Sequence, residues 1–131
     1  MGLPNYNIEQ FPIEKLDILH TVGRRWGIRN EKTIRHALSK LFKKSGYKLT
    51  KGYYGNKEID VIVKNDEHIL LTITTSATKN DIRNLNKSAE DYQTKVGVEP
   101  RLMIASVNIP HTVAREIKES FRKIDILAGY E

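Results

Sequence analysis

Asp60 is the residue whose type and position most suggest chemistry. It lies in the segment EIDVIVK, whose alternating residues predict a strand with Glu58 and Asp60 on one face. In the next predicted strand Thr72 and Thr74 share a face, so if the strands pair we expect Asp60 and both threonines to meet on one surface. A carboxylate there either serves a functional site or is a surface residue or a salt-bridge partner. The pattern alone leaves both interpretations open.

Two further carboxylates are candidates for the same site. Glu31 opens a predicted helix and lies one turn before Ile34 and two turns before Leu38, which are apolar residues of the face that packs on the sheet. We therefore expect the carboxylate of Glu31 to point along the sheet. Glu58 stands two residues before Asp60 in the same strand and could supply a carboxylate from a different backbone position.

Basic residues are concentrated in one part of the chain. The formal net charge is +6, but residues 22–57 alone hold eleven Lys and Arg against one acid, Glu31, for a net charge of +10. Such a segment favours a polyanion, because each phosphate that Lys or Arg neutralises releases counterions. The alternative is a solvated basic surface. The candidate nucleic-acid-binding residues are Arg24, Arg25, Arg29, Lys32, Arg35, Lys51 and Lys79.

Composition excludes several classes of protein. The 131 residues contain no cysteine, which excludes disulfides and thiolate metal sites, and no stretch approaches the roughly 18 to 20 apolar residues of a membrane span. The four histidines show no spacing typical of metal ligands. No serine or glycine pattern indicates a nucleophile elbow or a phosphate-binding loop. We expect a protein without a membrane partner, located in the cytoplasm.

The elements that must position Asp60 are a helix and three strands. Apolar spacing predicts a helix over 31–44. Gly55 and Asn56 predict a two-residue hairpin turn, and a second turn is predicted over 65–67. The strands of the resulting three-stranded meander are predicted over 47–54, 58–64 and 68–75.

A crossover follows the meander. Residues 80–96 carry an apolar stripe and precede Gly97, which predicts an amphipathic helix. The segment RLMIASV over 101–107 is nearly continuous in apolar residues, which is typical of a strand covered on both faces. Because a helix connects it to the meander, we expect this strand to be parallel to an earlier one.

The last predicted elements are a helix and an edge strand. The helix begins at Pro110, the strand covers 125–128, and the apolar residues of the helix are Val113, Ile117 and Phe121. We expect one α/β domain over 22–131, preceded by an N-terminal helical extension over 1–21. A helix predicted over 12–20 within that extension could cap the core or pair with a second chain as a homodimer.

Parts of the chain resemble a known family. The order of helix, meander, crossover helix and strand resembles the core of the PD-(D/E)xK nuclease superfamily, and EIDVIVKNDEHILLTITTSATK resembles its motif block. GRRWGIRNEKTIRHAL and AEDYQTKVGVEPRLMIAS resemble an archaeal-type group related in fold to Holliday junction resolvases. The likeness covers residues 22–107. It implies an α/β fold with a restriction-endonuclease-like core, a mixed central sheet of a meander plus a parallel strand, and flanking helices.

The same resemblance implies roles for single residues. Asp60 matches the metal-binding aspartate, and Glu31 is a candidate for the accessory glutamate of the first helix. Thr72 stands where the second acid belongs and Thr74 where the lysine belongs. In the family, carboxylates hold Mg²⁺ and the lysine positions or activates water, and a threonine hydroxyl brings no charge for either role. The resemblance therefore implies a degenerate catalytic site with Asp60 as its main metal ligand.

Three hypotheses follow from these patterns. The first is a catalytically inactive nuclease-fold protein that binds nucleic acid, DNA rather than RNA, through its basic N-terminal half. The second is an active Mg²⁺-dependent endonuclease in which other residues replace the missing groups, the candidates being Glu31, Glu58, Lys64 and Lys79. The third is a protein-interaction module that dimerises through its N-terminal helix. We expect the first, and Mg²⁺ is a cofactor only under the second.

Overall fold

A mixed sheet of five strands with helices on both faces forms the described part of the protein, residues 31–128 of a computed structural model. Its elements are α1 (Glu31–Lys44), β1 (Lys48–Tyr54), β2 (Lys57–Lys64), β3 (Glu67–Ser76), α2 (Lys79–Val96), β4 (Arg101–Asn108), α3 (His111–Lys118) and β5 (Ile124–Ala128). None of the helices described is long and apolar enough to cross a membrane. The extension predicted over 1–21 lies outside the described residues, as do Arg24, Arg25 and Arg29.

Local sequence accounts for the placement of the helices. In α1, Ile34, Leu38 and Phe42 recur every four residues and are buried, so one face of the helix packs on the sheet. α2 begins with a capping box, in which the hydroxyl of Thr78 accepts the N–H of Asp81 and the carboxylate of Asp81 accepts the N–H of Thr78 at 2.8 Å. Local sequence therefore accounts for the buried face of α1 and for the start of α2.

The sheet has the predicted topology. β1, β2 and β3 pair antiparallel as a meander, and β3, β4 and β5 pair in parallel, which gives the order β1-β2-β3-β4-β5. The crossover through α2 makes β4 parallel to β3, as predicted. The edge strand predicted over 125–128 is β5. Each strand begins and ends within one residue of its predicted bounds.

Two hydrophobic layers hold the helices on the sheet. On one face α1 packs over Leu71 and Met103, and on the other α2 and α3 pack over Leu70 and Leu102. Neighbouring residues of a strand alternate between these layers. The position of a residue in its strand therefore decides which helix it meets.

The last helix is shorter than predicted. α3 ends at Lys118, so it buries Val113 and Ile117, whereas the side chain of Phe121 is 90% exposed. The prediction that this helix carries Phe121 is wrong. The helical spacing that would place Phe121 on the same stripe no longer applies, because the helix is capped at Glu119.

The β1–β2 hairpin is docked on α2. Gly55 and Asn56 form its turn with φ values of 63° and 65°, the left-handed region that Gly and Asn tolerate best. The N–H of Gly55 donates to the carboxylate of Asp91 at 2.8 Å, and the hydroxyl of Ser88 donates to the carbonyl of Tyr54 at 2.9 Å. The bond from Gly55 holds the pKa of Asp91 below its usual range, so the carboxylate is charged at neutral pH.

We expect Gly55→Ala to lower the free energy of unfolding by about 3 kcal/mol, through backbone strain and overpacking. The added Cβ would lie 2.8 Å from the backbone nitrogen of Ser88. Gly97→Ala is the matched control, because Gly97 also has a positive φ of 84° but nothing lies within 4 Å of its added Cβ. For the control we expect a loss of about 1 kcal/mol. Urea denaturation measures both, and equal losses would show that the hairpin does not press on α2.

Candidate functional site

A cleft opens where β2 and β3 separate. The two strands pair from Lys64 and Glu67 up to Asp60 and Leu71, and beyond that point the start of β2 pairs with β1 while the end of β3 pairs with β4. The cleft has a volume of about 290 Å³. Its polar lining comes from α1, β2, β3 and α2 and consists of Glu31, Arg35, Lys57, Glu58, Asp60, Thr72, Thr74, Asp81 and Asn84. The three predicted carboxylates and both threonines therefore line one cleft.

Asp60 and the two threonines nevertheless project from opposite faces of the sheet. Asp60 pairs with Leu71, and directly paired residues project to the same side, here that of α1. Thr72 and Thr74 alternate with Leu71 and therefore project toward α2. The expectation of one shared face is wrong. A three-residue turn over 65–67 would pair Asp60 with Thr72, but the turn has two residues, which shifts the register by one.

Asp60 forms a salt bridge with Arg35. The Nε and Nη2 atoms of Arg35 donate to Oδ2 of Asp60, each at 3.3 Å. The side chain of Asp60 is 11% exposed and that of Arg35 is 35% exposed, so the carboxylate is mostly buried and the guanidinium faces the cleft in part. Asp60 is therefore a salt-bridge partner rather than a surface residue, and its functional role stays a prediction. No periodicity signals a contact between residues 25 positions apart, and sequence reasoning missed it.

β3 supplies no charged partner to Asp60 at the cleft. It presents Leu71 and Ile73 on the side of Asp60 and Thr72 and Thr74 on the other, so neither side offers a carboxylate or an ammonium. Within residues 31–128 there is also no group of three or more His, Asp or Glu placed to hold a metal ion. The metal role predicted for Asp60 stays a prediction.

The remaining carboxylates of the cleft are spread around its rim. Glu31 and Glu58 are exposed, and Asp81, which the sequence analysis did not select, caps α2. The signal for Asp81 was available as the capping box that begins at Thr78. Together with Asp60, these acids outnumber the two cations of the lining by two. The cleft is therefore acidic and does not by itself attract a phosphate.

The predicted cationic replacements do not line the cleft. Lys64 lies at the opposite end of β2, where its Nζ donates to the carbonyl of Ser45 at 2.7 Å and stands 5.3 Å from the ring centroid of Tyr47. Lys79 opens α2 and is exposed. Lys51 is exposed on β1, directly paired with Asp60. Of the predicted nucleic-acid-binding residues, only Arg35 lines the cleft within the described part of the chain.

An exposed basic stripe runs along α1. Lys32, His36, Lys40 and Lys43 recur at helical spacing and are exposed, on the side of the helix opposite the buried Ile34. Charge density alone singled out only Lys32. The spacing of the other three residues was available in the sequence, and it defines this basic stripe as one continuous surface.

The fold and the cleft define a nuclease-like α/β domain. The family model described as the PD-(D/E)XK nuclease superfamily matches residues 56–127, which is more than half of the chain. The chain belongs to this superfamily. A second model, described as a protein of unknown function (DUF3782), matches residues 8–61. No curated protein matches the chain.

The fold is also found in a solved structure. The apo form of EndoMS is similar to this chain with a TM-score of 0.54 and 13% sequence identity, over 76% of this chain and 46% of that chain. The chain thus spans less than half the length of the EndoMS chain. A likeness at this identity shows the fold alone. The predicted α/β fold with a nuclease-type core and a mixed central sheet is confirmed.

We expect the Arg35–Asp60 pair to show a coupling of about 1 kcal/mol in a double-mutant cycle with Arg35→Met and Asp60→Asn. Of the two single variants, Arg35→Met should lower the free energy of unfolding more, because it leaves the mostly buried carboxylate of Asp60 unpaired. The control cycle is Arg83→Met with Glu116→Gln, a pair 3.9 Å apart with its arginine 60% exposed. Chemical denaturation measures both cycles. A coupling no larger than that of the control would contradict a stabilising role for the pair.

Proposed function

We propose that the protein binds nucleic acid and does not cleave it. The observation that carries the proposal is the guanidinium of Arg35, two of whose nitrogens lie 3.3 Å from Oδ2 of Asp60. The family resemblance assigns Asp60 to the metal, and a positive charge fixed at this distance opposes a second cation there. In the same proposal Thr72 and Thr74 are degenerate positions that supply neither the acid nor the lysine.

Metal-dependent hydrolysis places demands that this cleft meets poorly. Mg²⁺ gives up its waters reluctantly and prefers carboxylate oxygens at about 2.0–2.1 Å. An incoming ion would have to displace Arg35 from Asp60 and would meet only hydroxyl and apolar groups from β3. With no lysine at Thr74 to position water or stabilise developing charge, the hydrolytic step lacks a second requirement.

The basic stripe of α1 supports binding without cleavage. It runs from Lys32 to Lys43, a length of about 16 Å at 1.5 Å per residue, which is enough to follow several phosphates of a duplex. The cleft beside it is acidic, so phosphates favour the stripe. DNA is the proposed partner rather than RNA, because the sequence resembles the group related to Holliday junction resolvases. Lys51 and Lys79 are proposed to extend this contact.

An active endonuclease is the second candidate. It is supported by the four carboxylates that line one cleft, which are Glu31, Glu58, Asp60 and Asp81. Mg²⁺ would be its cofactor, and Arg35 would have to leave Asp60 for the ion to bind.

The protein-interaction module is the third hypothesis. It depends on the helix predicted over 12–20, so its homodimer remains a prediction outside the described residues. Cytoplasmic location remains a prediction as well.

We expect no cleavage of labelled duplex, single-stranded or branched DNA by the wild type with Mg²⁺ or Mn²⁺, because Asp60 is paired and β3 lacks a charged partner. Arg35→Met should also be inert, since freeing Asp60 restores neither the acid nor the lysine. Gel assays run beside Asp60→Ala check this. Metal-dependent cleavage that disappears in Asp60→Ala would establish the second candidate instead, whereas cleavage that survives in Asp60→Ala would indicate a contaminating nuclease.

We expect Lys40→Gln with Lys43→Gln to weaken duplex DNA binding and to reduce the slope of log K against log salt by about 1.8, because two phosphate contacts are lost. Fluorescence anisotropy over a salt series measures the slope. The matched control is Lys87→Gln with Lys118→Gln, which removes the same charge from exposed positions of α2 and α3. Equal slopes for the two double variants would contradict binding along α1.

A further inference from the structure

A second cavity lies at the opposite end of the sheet from the cleft. It opens at the starts of β4 and β5 and has a volume of about 370 Å³, and its lining includes Arg101, Phe121, Arg122 and Asp125. The volume falls within the range of about 300–1,000 Å³ that is typical of small-molecule sites. The cleft of Asp60 lies along the later half of β3. This second cavity and the cleft have no lining residue in common.

Among the buried polar atoms of this lining, Oδ1 of Asp125 and Nε of Arg122 have no hydrogen-bond partner within the described chain. Asp125 is 3% exposed, and its Oδ2 accepts Nε of Arg101 at 2.5 Å, whereas its Oδ1 accepts no hydrogen bond. Nε of Arg122 is also buried without an acceptor, although its Nη2 donates to Gln93 at 3.5 Å. Buried polar groups are normally satisfied, so an open acceptor and an open donor in one lining indicate a ligand that completes both.

A charged network holds the carboxylate of Asp125 in place. Arg101 also donates to Glu67 at 3.0 Å, and the hydroxyl of Tyr47 donates to Glu67 at 2.8 Å. Burial, and then the bond to Glu67, raise the pKa of Tyr47 to about 12, so the phenol remains a donor at neutral pH. The network fixes the orientation of Asp125 before any ligand arrives, which lowers the entropic cost of binding.

Phe121 gives the cavity an aromatic surface. Its side chain is 90% exposed, and the guanidinium carbon of Arg122 lies 5.6 Å from its ring centroid. Lys123 and Glu99 also line the cavity, so its rim carries both signs of charge. A planar ligand that stacks on the ring can bring its polar edge to the buried atoms of Asp125 and Arg122.

We infer that this cavity binds a nucleobase that carries an amino group. The amino group supplies the donor that Oδ1 of Asp125 lacks, and the adjacent ring nitrogen or carbonyl oxygen supplies the acceptor for Nε of Arg122. The base stacks on Phe121, and Lys123 pairs with its phosphate. The base belongs either to a single strand, in which case the inference rests on the proposed function, or to a free nucleotide.

The test is a titration of the full ¹⁵N-labelled chain with cytidine and adenosine monophosphates, with short single-stranded cytidine or adenosine oligonucleotides, and with duplex DNA. We expect amide shifts around Phe121 and Asp125, and about tenfold weaker binding of the single strands by Phe121→Ala, the effect of losing one base stack. Because Phe121 is almost fully exposed, this variant should fold. Tyr53→Ala is the control, since Tyr53 is an aromatic residue 66% exposed at the opposite edge of the sheet.

Each outcome decides the inference. Shifts with mononucleotides identify a free-nucleotide site, and shifts with oligonucleotides alone identify a single-strand site. The inference is overturned if no probe shifts the amides of Phe121 and Asp125, or if Phe121→Ala and Tyr53→Ala bind each nucleotide probe with equal affinity. The buried atoms would then bind water only. Mononucleotide binding in a chain that binds no duplex or single strand would refute the proposed function while supporting this site.

Discussion

β3 changes its neighbours along its length, and the other features of the molecule depend on this change. It pairs with β4 from Ile69 to Ser76 but with β2 only from Glu67 to Leu71. The backbone of β3 therefore stays hydrogen-bonded to β4 where β2 leaves, and the opening lies along the edge of β3 that no longer pairs with β2. Side chains from both faces reach that opening. This geometry explains how residues that project to opposite sides of the sheet line one cleft.

Periodicity predicted the elements well because it is a local property. A strand is read from alternation and a helix from its apolar stripe, and both patterns lie within a few residues of one another. The register between strands is not local in this sense. It depends on how many residues the turn takes, and the turn after Lys64 takes Asn65 and Asp66 but not Glu67. Because of that single residue, Asp60 pairs with Leu71 instead of Thr72, and the geometry of the site differs from the predicted one.

The acidic residues of the candidate site could be predicted from the sequence, but their side-chain contacts could not. Asp60, Glu31 and Glu58 were selected from their types and positions, and all line the cleft. The pairing of Asp60 with Arg35 joins a helix to a strand across the packed interface, where only the assembled fold brings the two charges together. Arg35 was selected for phosphate, since charge density cannot distinguish a cation that faces solvent from one that pairs with an acid. The exposure of Phe121 could not be predicted either, because it depends on where α3 ends.

The Arg35–Asp60 pair also has an evolutionary consequence. Under the proposed function, a chain with this pair gains metal chemistry only if the arginine leaves and an acid and a lysine arrive on β3 at compatible positions. Loss of the arginine alone leaves a mostly buried carboxylate without a charged partner. New charges on β3 alone lie beside an aspartate that Arg35 already neutralises. Each intermediate is therefore penalised or without benefit, so selection would retain the pair.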